Sequence, residues 1–114
     1  MQLGSIDRGT VLYIEVLAGN PCSNIKLDGL LHETNGKAVL LVAGDEFYEY
    51  CVSQSSRIRV RIAFFRGKTR FSFDGEVERA LMRYGVKLTE IVANTEINVK
   101  QSRGCKTPLS TGVD

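Results

Sequence analysis

The residues of this chain best suited to chemistry lie between positions 57 and 78, where Arg57, Arg59 and Arg61 alternate with apolar side chains and Phe64, Phe65, Arg66, Lys68 and Arg70 follow. Guanidinium groups grip phosphate and aromatic rings stack on bases, so cations interleaved with aromatics on a sheet are one route to single-stranded nucleic acid. The same stretch, RIRVRIAFFRGKTRFSFDGEVE, also has the form of a β-hairpin turning at Gly67-Lys68, with glycine first as a type II′ turn requires. A two-residue turn pairs Ile58 with Val77, Val60 with Gly75, Ile62 with Phe73 and Phe64 with Phe71 on an apolar face. On the other face Arg57 meets Glu78, Arg59 meets Glu76, Arg61 meets Asp74 and Phe65 meets Arg70. A three-residue loop would mix the faces, and a one-residue slip turns every side chain over, so the two-residue register is the expected one. In that register each of the three alternating arginines has a carboxylate opposite, and such cross-strand pairs contribute about 0.2–1 kcal/mol each. A charge-balanced structural hairpin is favoured over a phosphate-gripping strand, and Arg66, Lys68 and Arg70 at the tip remain as candidate contacts.

No other stretch assembles a catalytic set. There is no serine with a histidine placed to activate it, no glycine loop for phosphate, and no carboxylate pair outside strand positions. Glu15, Asp28, Asp45, Glu46 and Glu49 are scattered and read as surface residues. A zinc site would need Cys22, Cys51, Cys105 and the single histidine, His32, gathered from across the chain, so neither a metal nor a cofactor is expected. The odd, widely spaced cysteines argue for a reducing compartment rather than a disulfide framework. Cys51, beside Tyr50 and Val52, is expected to be a small buried side chain, and His32 a strand-end residue facing water. The reading is a non-enzymatic binding module.

The elements that would carry such a module follow from alternation and turn chemistry. The chain has 114 residues, 43% hydrophobic and 25% charged with net charge +2, which suits one soluble core and not a dedicated polyanion binder. No apolar run approaches the roughly 18 residues of a membrane span and no leader pattern opens the chain, so a cytoplasmic location is expected. Residues 1–9 read as a polar lead-in. Thr10 to Leu17 reads as a strand with Leu12, Ile14 and Val16 on one side and Val11, Tyr13 and Glu15 on the other. Ile25 to Thr34 follows, with Gly29 suggesting a bulge or bend, and Asn35-Gly36 is the strongest short hairpin turn. Lys37 to Ala43 is apolar on both faces and should be central. Gly44 to Ser56 breaks the pattern, as a helical turn or flap that packs Phe47 and Tyr50 on the barrel and leaves Tyr48 exposed. After the hairpin, Ala80 to Gly85 continues or caps its second strand, Val86 to Val92 is a sixth strand, and Glu96 to Lys100 a weak seventh with Ile97 and Val99 inward. Residues 101–114 lack periodicity. The expectation is an all-β, six- to seven-stranded antiparallel barrel or split barrel over 1–100, with a tail or linker over 101–114. An unpaired edge strand would allow a homodimer.

The order of elements resembles the N-terminal barrel of bacterial flagellar-brake proteins, which precedes a PilZ domain that senses cyclic di-GMP. The resemblance is carried by Gly9 to Ile14, Arg57 to Arg61, Phe71 to Val77 and the tail Gln101-Ser102-Arg103-Gly104-Cys105-Lys106-Thr107-Pro108-Leu109. It implies a PilZ-like barrel acting in cyclic di-GMP signalling and control of motility, through a protein partner such as the flagellar motor or a downstream PilZ domain. It also implies that Gln101, Arg103 and Lys106 belong to an interdomain switch of the form Q-R-R-x-x-x-R, whose arginines clamp phosphates and guanines; an exposed basic tail is the competing reading. Ser102 and Thr107 stand where the pattern has its first and last arginines, and the second motif, D/N-x-S-x-x-G, is not in the chain. Weak dinucleotide binding or none is therefore expected of this chain by itself. A small nucleic-acid-binding barrel using the hairpin tip and tail is the alternative.

Overall fold

The computed structural model describes residues 1–17, 25–53 and 57–99. Its strands are β1 (Val11–Leu17), β2 (Ile25–Thr34), β3 (Ala38–Ala43), β4 (Arg59–Arg66), β5 (Thr69–Arg83), β6 (Val86–Ala93) and β7 (Asn98–Val99), with one helix, α1 (Asp45–Ser53), among the described residues. The first six strands pair antiparallel in the order β4-β1-β2-β3-β6-β5 and back to β4, so the sheet closes into a six-stranded barrel, and β7 adds to β5 outside that circuit. Of the two architectures expected, the closed barrel is the one formed.

Closure depends on β5, which is long enough to pair with β4 and then β6, and which also takes β7 at Phe71 and Ser72. Residues Thr69 to Glu76 pair with β4 and Gly75 to Arg83 pair with β6, so Gly75 is opposite both Val60 and Ala93. The β4–β5 register is the expected one, from Arg59↔Glu76 to Arg66↔Thr69, and Gly67 takes φ 64 at the turn. One detail differs: the Arg57 guanidinium reaches Glu76, at 3.7 Å, rather than Glu78.

The alternating apolar residues of each strand fill the barrel. Leu12, Ile14, Val39, Leu41, Val60, Ile62, Phe64, Phe73 and Ile91 are almost wholly inaccessible to solvent. Phe64 and Phe71 stack at 5.3 Å. The two ends are closed by local segments. The lead-in is not a loose polar stretch: it forms a 3-10 turn, Leu3–Ser5, and buries Leu3 and Ile6 in the core. Arg66 Nη2 donates to the Ser5 carbonyl at 3.0 Å and Gly9 N donates to Leu31 O at 2.8 Å, fastening the segment across that end. At the opposite end α1 buries Phe47 and Cys51, one turn apart on the same helix face, beside Ile58. Asp45 and Glu46 occupy its first turn, where the helix dipole favours carboxylates. The irregular connection expected over Gly44 to Ser56 is thus a helix across Asp45–Ser53.

Two expectations are corrected, the place of the β2 bulge and the phase of Val99. The β2 bulge falls at His32, between Leu31 and Glu33, not at Gly29. Gly29 is required for a different reason, since a Cβ there would meet the Val42 carbonyl oxygen at 2.7 Å. Asn35-Gly36 turns β2 into β3 as expected, without positive φ at Gly36; Asn35 Oδ1 accepts from Lys37 N and Ala38 N, each at 2.8 Å. The type I′ conformation, with positive φ at both central residues, occurs at Tyr84-Gly85, φ 52 and 78, joining β5 to β6. Ile97 packs against the core as expected, whereas Val99, at the end of the two-residue β7, is exposed.

Candidate interaction surface

The outer face of the barrel can be read as rows running across the strands. In antiparallel pairs, residues opposite one another point to the same side. Val11 is opposite Leu30, which is opposite Val42, and two residues beyond the Tyr13↔Ala63 pair the β1–β4 register sets Val11 beside Phe65, itself opposite Arg70. The first row is therefore Val42, Leu30, Val11, Phe65 and Arg70. The next is Asp28, Tyr13, Ala63 and Ser72, and the one after it Lys26, Glu15, Arg61 and Asp74.

These rows differ in chemistry. In the third, cation and anion alternate across four strands, and Arg61 donates from Nε and Nη2 to the two Asp74 oxygens at 2.8 and 3.3 Å. That hydrogen bond holds the Arg61 guanidinium above its ordinary pKa, against the opposing effect of burial. The first row is apolar from Val42 to Phe65, and in the second Tyr13 adds an exposed ring beside it while Ala63 and Ser72 are buried. Leu30 is 49% exposed, Val11 41%, Tyr13 47% and Phe65 50%. The Tyr13 and Phe65 rings meet edge to face with centroids 5.9 Å apart. Four half-exposed large side chains on three adjacent strands form a continuous apolar patch, and such patches mark contact sites.

The patch ends in positive charge. Arg70 lies opposite Phe65 and Lys68 sits in the turn, and among the described residues neither has an ion-pair partner. Arg66, the third cation of the tip, is engaged with the Ser5 carbonyl.

Several polar groups elsewhere make structural contacts. Arg83 Nη1 meets Glu33 Oε1 at 3.2 Å, joining β5 to β2 across β6 and β3, on whose outer side Leu88 and Leu40 are nevertheless buried. His32 does not face water freely: its Nε2 accepts from Arg8 Nη2 at 3.3 Å, while its buried Nδ1 has no hydrogen-bond partner and lies 3.9 Å from Glu33 Oε1. Lys87 reaches Asp45 and Glu49 of α1 at 3.8 and 3.9 Å and lies over the Tyr48 ring, so Tyr48 ties the helix to β6 rather than standing free. Cys51 is buried as expected, and burial pushes its thiol up to about 11. No three residues among the described His, Cys, Asp and Glu are grouped to hold a metal ion.

The switch residues Gln101, Arg103 and Lys106, and the variant positions Ser102 and Thr107, lie outside the described residues. The apolar patch was not singled out from sequence. Its trace there was the outward phase of β1, where Val11 and Tyr13 replace the polar residues a solvated face would carry. No helix among the described residues is long and apolar enough to cross a membrane. Comparison of the chain with protein-family models finds no match, and comparison with curated proteins finds no relative.

Proposed function

We propose that this chain is a non-enzymatic interaction barrel of a regulatory system, in the role that the barrel preceding a PilZ domain has in cyclic di-GMP control of bacterial motility, and that it works by docking a protein. The observation that carries the reading is the contiguous apolar patch of Leu30, Val11, Tyr13 and Phe65 on three adjacent strands. The sequence resemblance and the closed antiparallel barrel support the same role, the fold by analogy alone. Nucleic acid is the weaker reading. Binding a phosphate backbone draws on unpaired cations that release counterions, and the arginine strand spends Arg61 on Asp74 and Arg57 on Glu76. Dinucleotide recognition by the chain itself is weak for a related reason: serine and threonine cannot make the forked, stackable contacts of arginine.

The test replaces Phe65 with Asp, or Tyr13 with Asp, in the host whose motility the chain would regulate. Both side chains are half exposed, so circular dichroism and the melting temperature should change little. Swimming should lose its response to raised cyclic di-GMP. Folded variants that keep the full response would overturn the docking role, and a saturable micromolar heat of cyclic di-GMP binding to the purified chain would overturn the division of labour.

A further inference from the structure

We infer that the partner's docking segment is acidic, a short stretch that lays aliphatic or aromatic side chains along Leu30, Val11, Tyr13 and Phe65 and sets carboxylates against Lys68 and Arg70. This rests on the docking reading above and assigns the partner's chemistry. The charge argument comes from the rows. One row away from the patch centre, Lys26, Glu15, Arg61 and Asp74 alternate in sign, so that part of the face presents no net demand. At the β5 end of the apolar row, Arg70 and Lys68 have no ion-pair partner among the described residues. Asp28, outward on β2 beside Tyr13, would repel a carboxylate at the opposite corner. The surface is therefore polarised, and it orients an acidic segment with its carboxylates over the β4–β5 turn and its apolar side chains toward β2.

Size selects a segment rather than a second copy of the barrel. Four half-exposed side chains offer a few hundred Å², whereas a stable folded interface buries about 800 Å² on each partner. A patch two rows deep and three strands wide matches a single strand or helix face laid across it. Steering by two unpaired cations would raise association rate and fix direction more than it would add affinity.

The experiment titrates the full 15N-labelled chain with two synthetic peptides that share the same leucine and phenylalanine positions, one with glutamate and the other with lysine at every polar position. A deoxythymidine oligonucleotide and phosphatidylglycerol vesicles serve as the other two probes. The acidic peptide should give saturable amide shifts at Val11, Tyr13, Leu30, Phe65, Lys68 and Arg70, and should bind about tenfold more weakly once Lys68→Glu and Arg70→Glu are combined. The basic peptide should bind at least about tenfold more weakly to the unaltered chain. Equal binding of the two peptides, shifts elsewhere on the barrel, no shift on the patch, or tighter engagement of the patch by the oligonucleotide or the vesicles would each overturn the assignment. If Phe65→Asp abolishes the motility response while the peptides show no charge preference, the acidic assignment falls and the docking reading stands. If the response survives Phe65→Asp, it is the docking reading that falls.

Discussion

The carbonyl oxygen of Val92 lies where a side chain at Gly75 would begin: a Cβ built on Gly75 falls 2.6 Å from that oxygen and 2.9 Å from Ile91 Cγ2. Gly75 is also the residue at which β5 leaves β4 and takes up β6, being opposite Val60 on one side and Ala93 on the other. Glycine inside a strand often marks a close backbone approach, and here the β6 backbone occupies the space a methyl group would need. Gly75→Ala should therefore destabilise the barrel by about 1–3 kcal/mol, as an overpacked site does. Thermal and urea melts measure it, and a variant as stable as the parent would mean that β6 can retreat without cost.

Ile62 sits opposite Ile14 on β1 and Phe73 on β5, and all three are fully buried. Truncating it leaves a hole lined by two side chains fixed in ladders on either side, with little room to collapse. Ile62→Ala should cost about 2–5 kcal/mol, a large part of a small domain's stability. A loss below about 1 kcal/mol in a denaturant titration would place the side chain outside the packed interior.

The physical reach of local signals explains which of these features the sequence discloses. The Arg57 to Glu78 hairpin is legible because only one register sorts its residues by polarity on both faces, and sorting is a property of adjacent sequence. The far half of β5 is legible as a continuation of the hairpin strand, but its phase is obscured by the irregularity between Val77 and Arg79, which makes the inward residues Val77 and Ala80 three apart where a regular strand spaces them by two. Asn35-Gly36 carries the standard hairpin signal, yet side-chain capping by Asn35 supplies the turn without positive φ at Gly36. The apolar patch is harder still. Tyr13, Leu30 and Phe65 are each unremarkable as single exposed residues; β1–β2 pairing brings Leu30 beside β1, and Phe65 joins them only through the β1–β4 pairing, a contact between segments more than forty positions apart in which no turn specifies the register.

Tyr84 pays a conformational cost that its side chain does not recover. It takes φ 52 in the type I′ turn and is 97% exposed, so almost no packing offsets the left-handed backbone. Asparagine tolerates that region far better and belongs to the preferred first position of such turns. Tyr84→Asn should raise stability by about 0.5–1 kcal/mol with no change in the spectrum of the folded chain. A fall in stability would show that the ring makes a contact in solution that outweighs the turn.

Cys51 couples the seating of α1 to alkaline pH. The folded chain holds the thiol proton up to about pH 11, because burial disfavours the thiolate, while the unfolded chain releases it near the ordinary value of 9.0. The folded pKa is the higher of the two, so this contribution is fully present below pH 9.0 and is lost as pH rises toward 11. Stability should fall across that window, and Cys51→Ala should lower stability at neutral pH through lost packing while removing that part of the alkaline decline. Labelling tests the same seat directly. With Cys22 and Cys105 changed to serine, a thiol reagent at pH 8 should modify Cys51 only as the helix opens, so the rate should rise with denaturant in step with unfolding. Rapid stoichiometric labelling in native buffer, together with an alkaline profile unchanged by Cys51→Ala, would mean that α1 does not seal this end of the barrel.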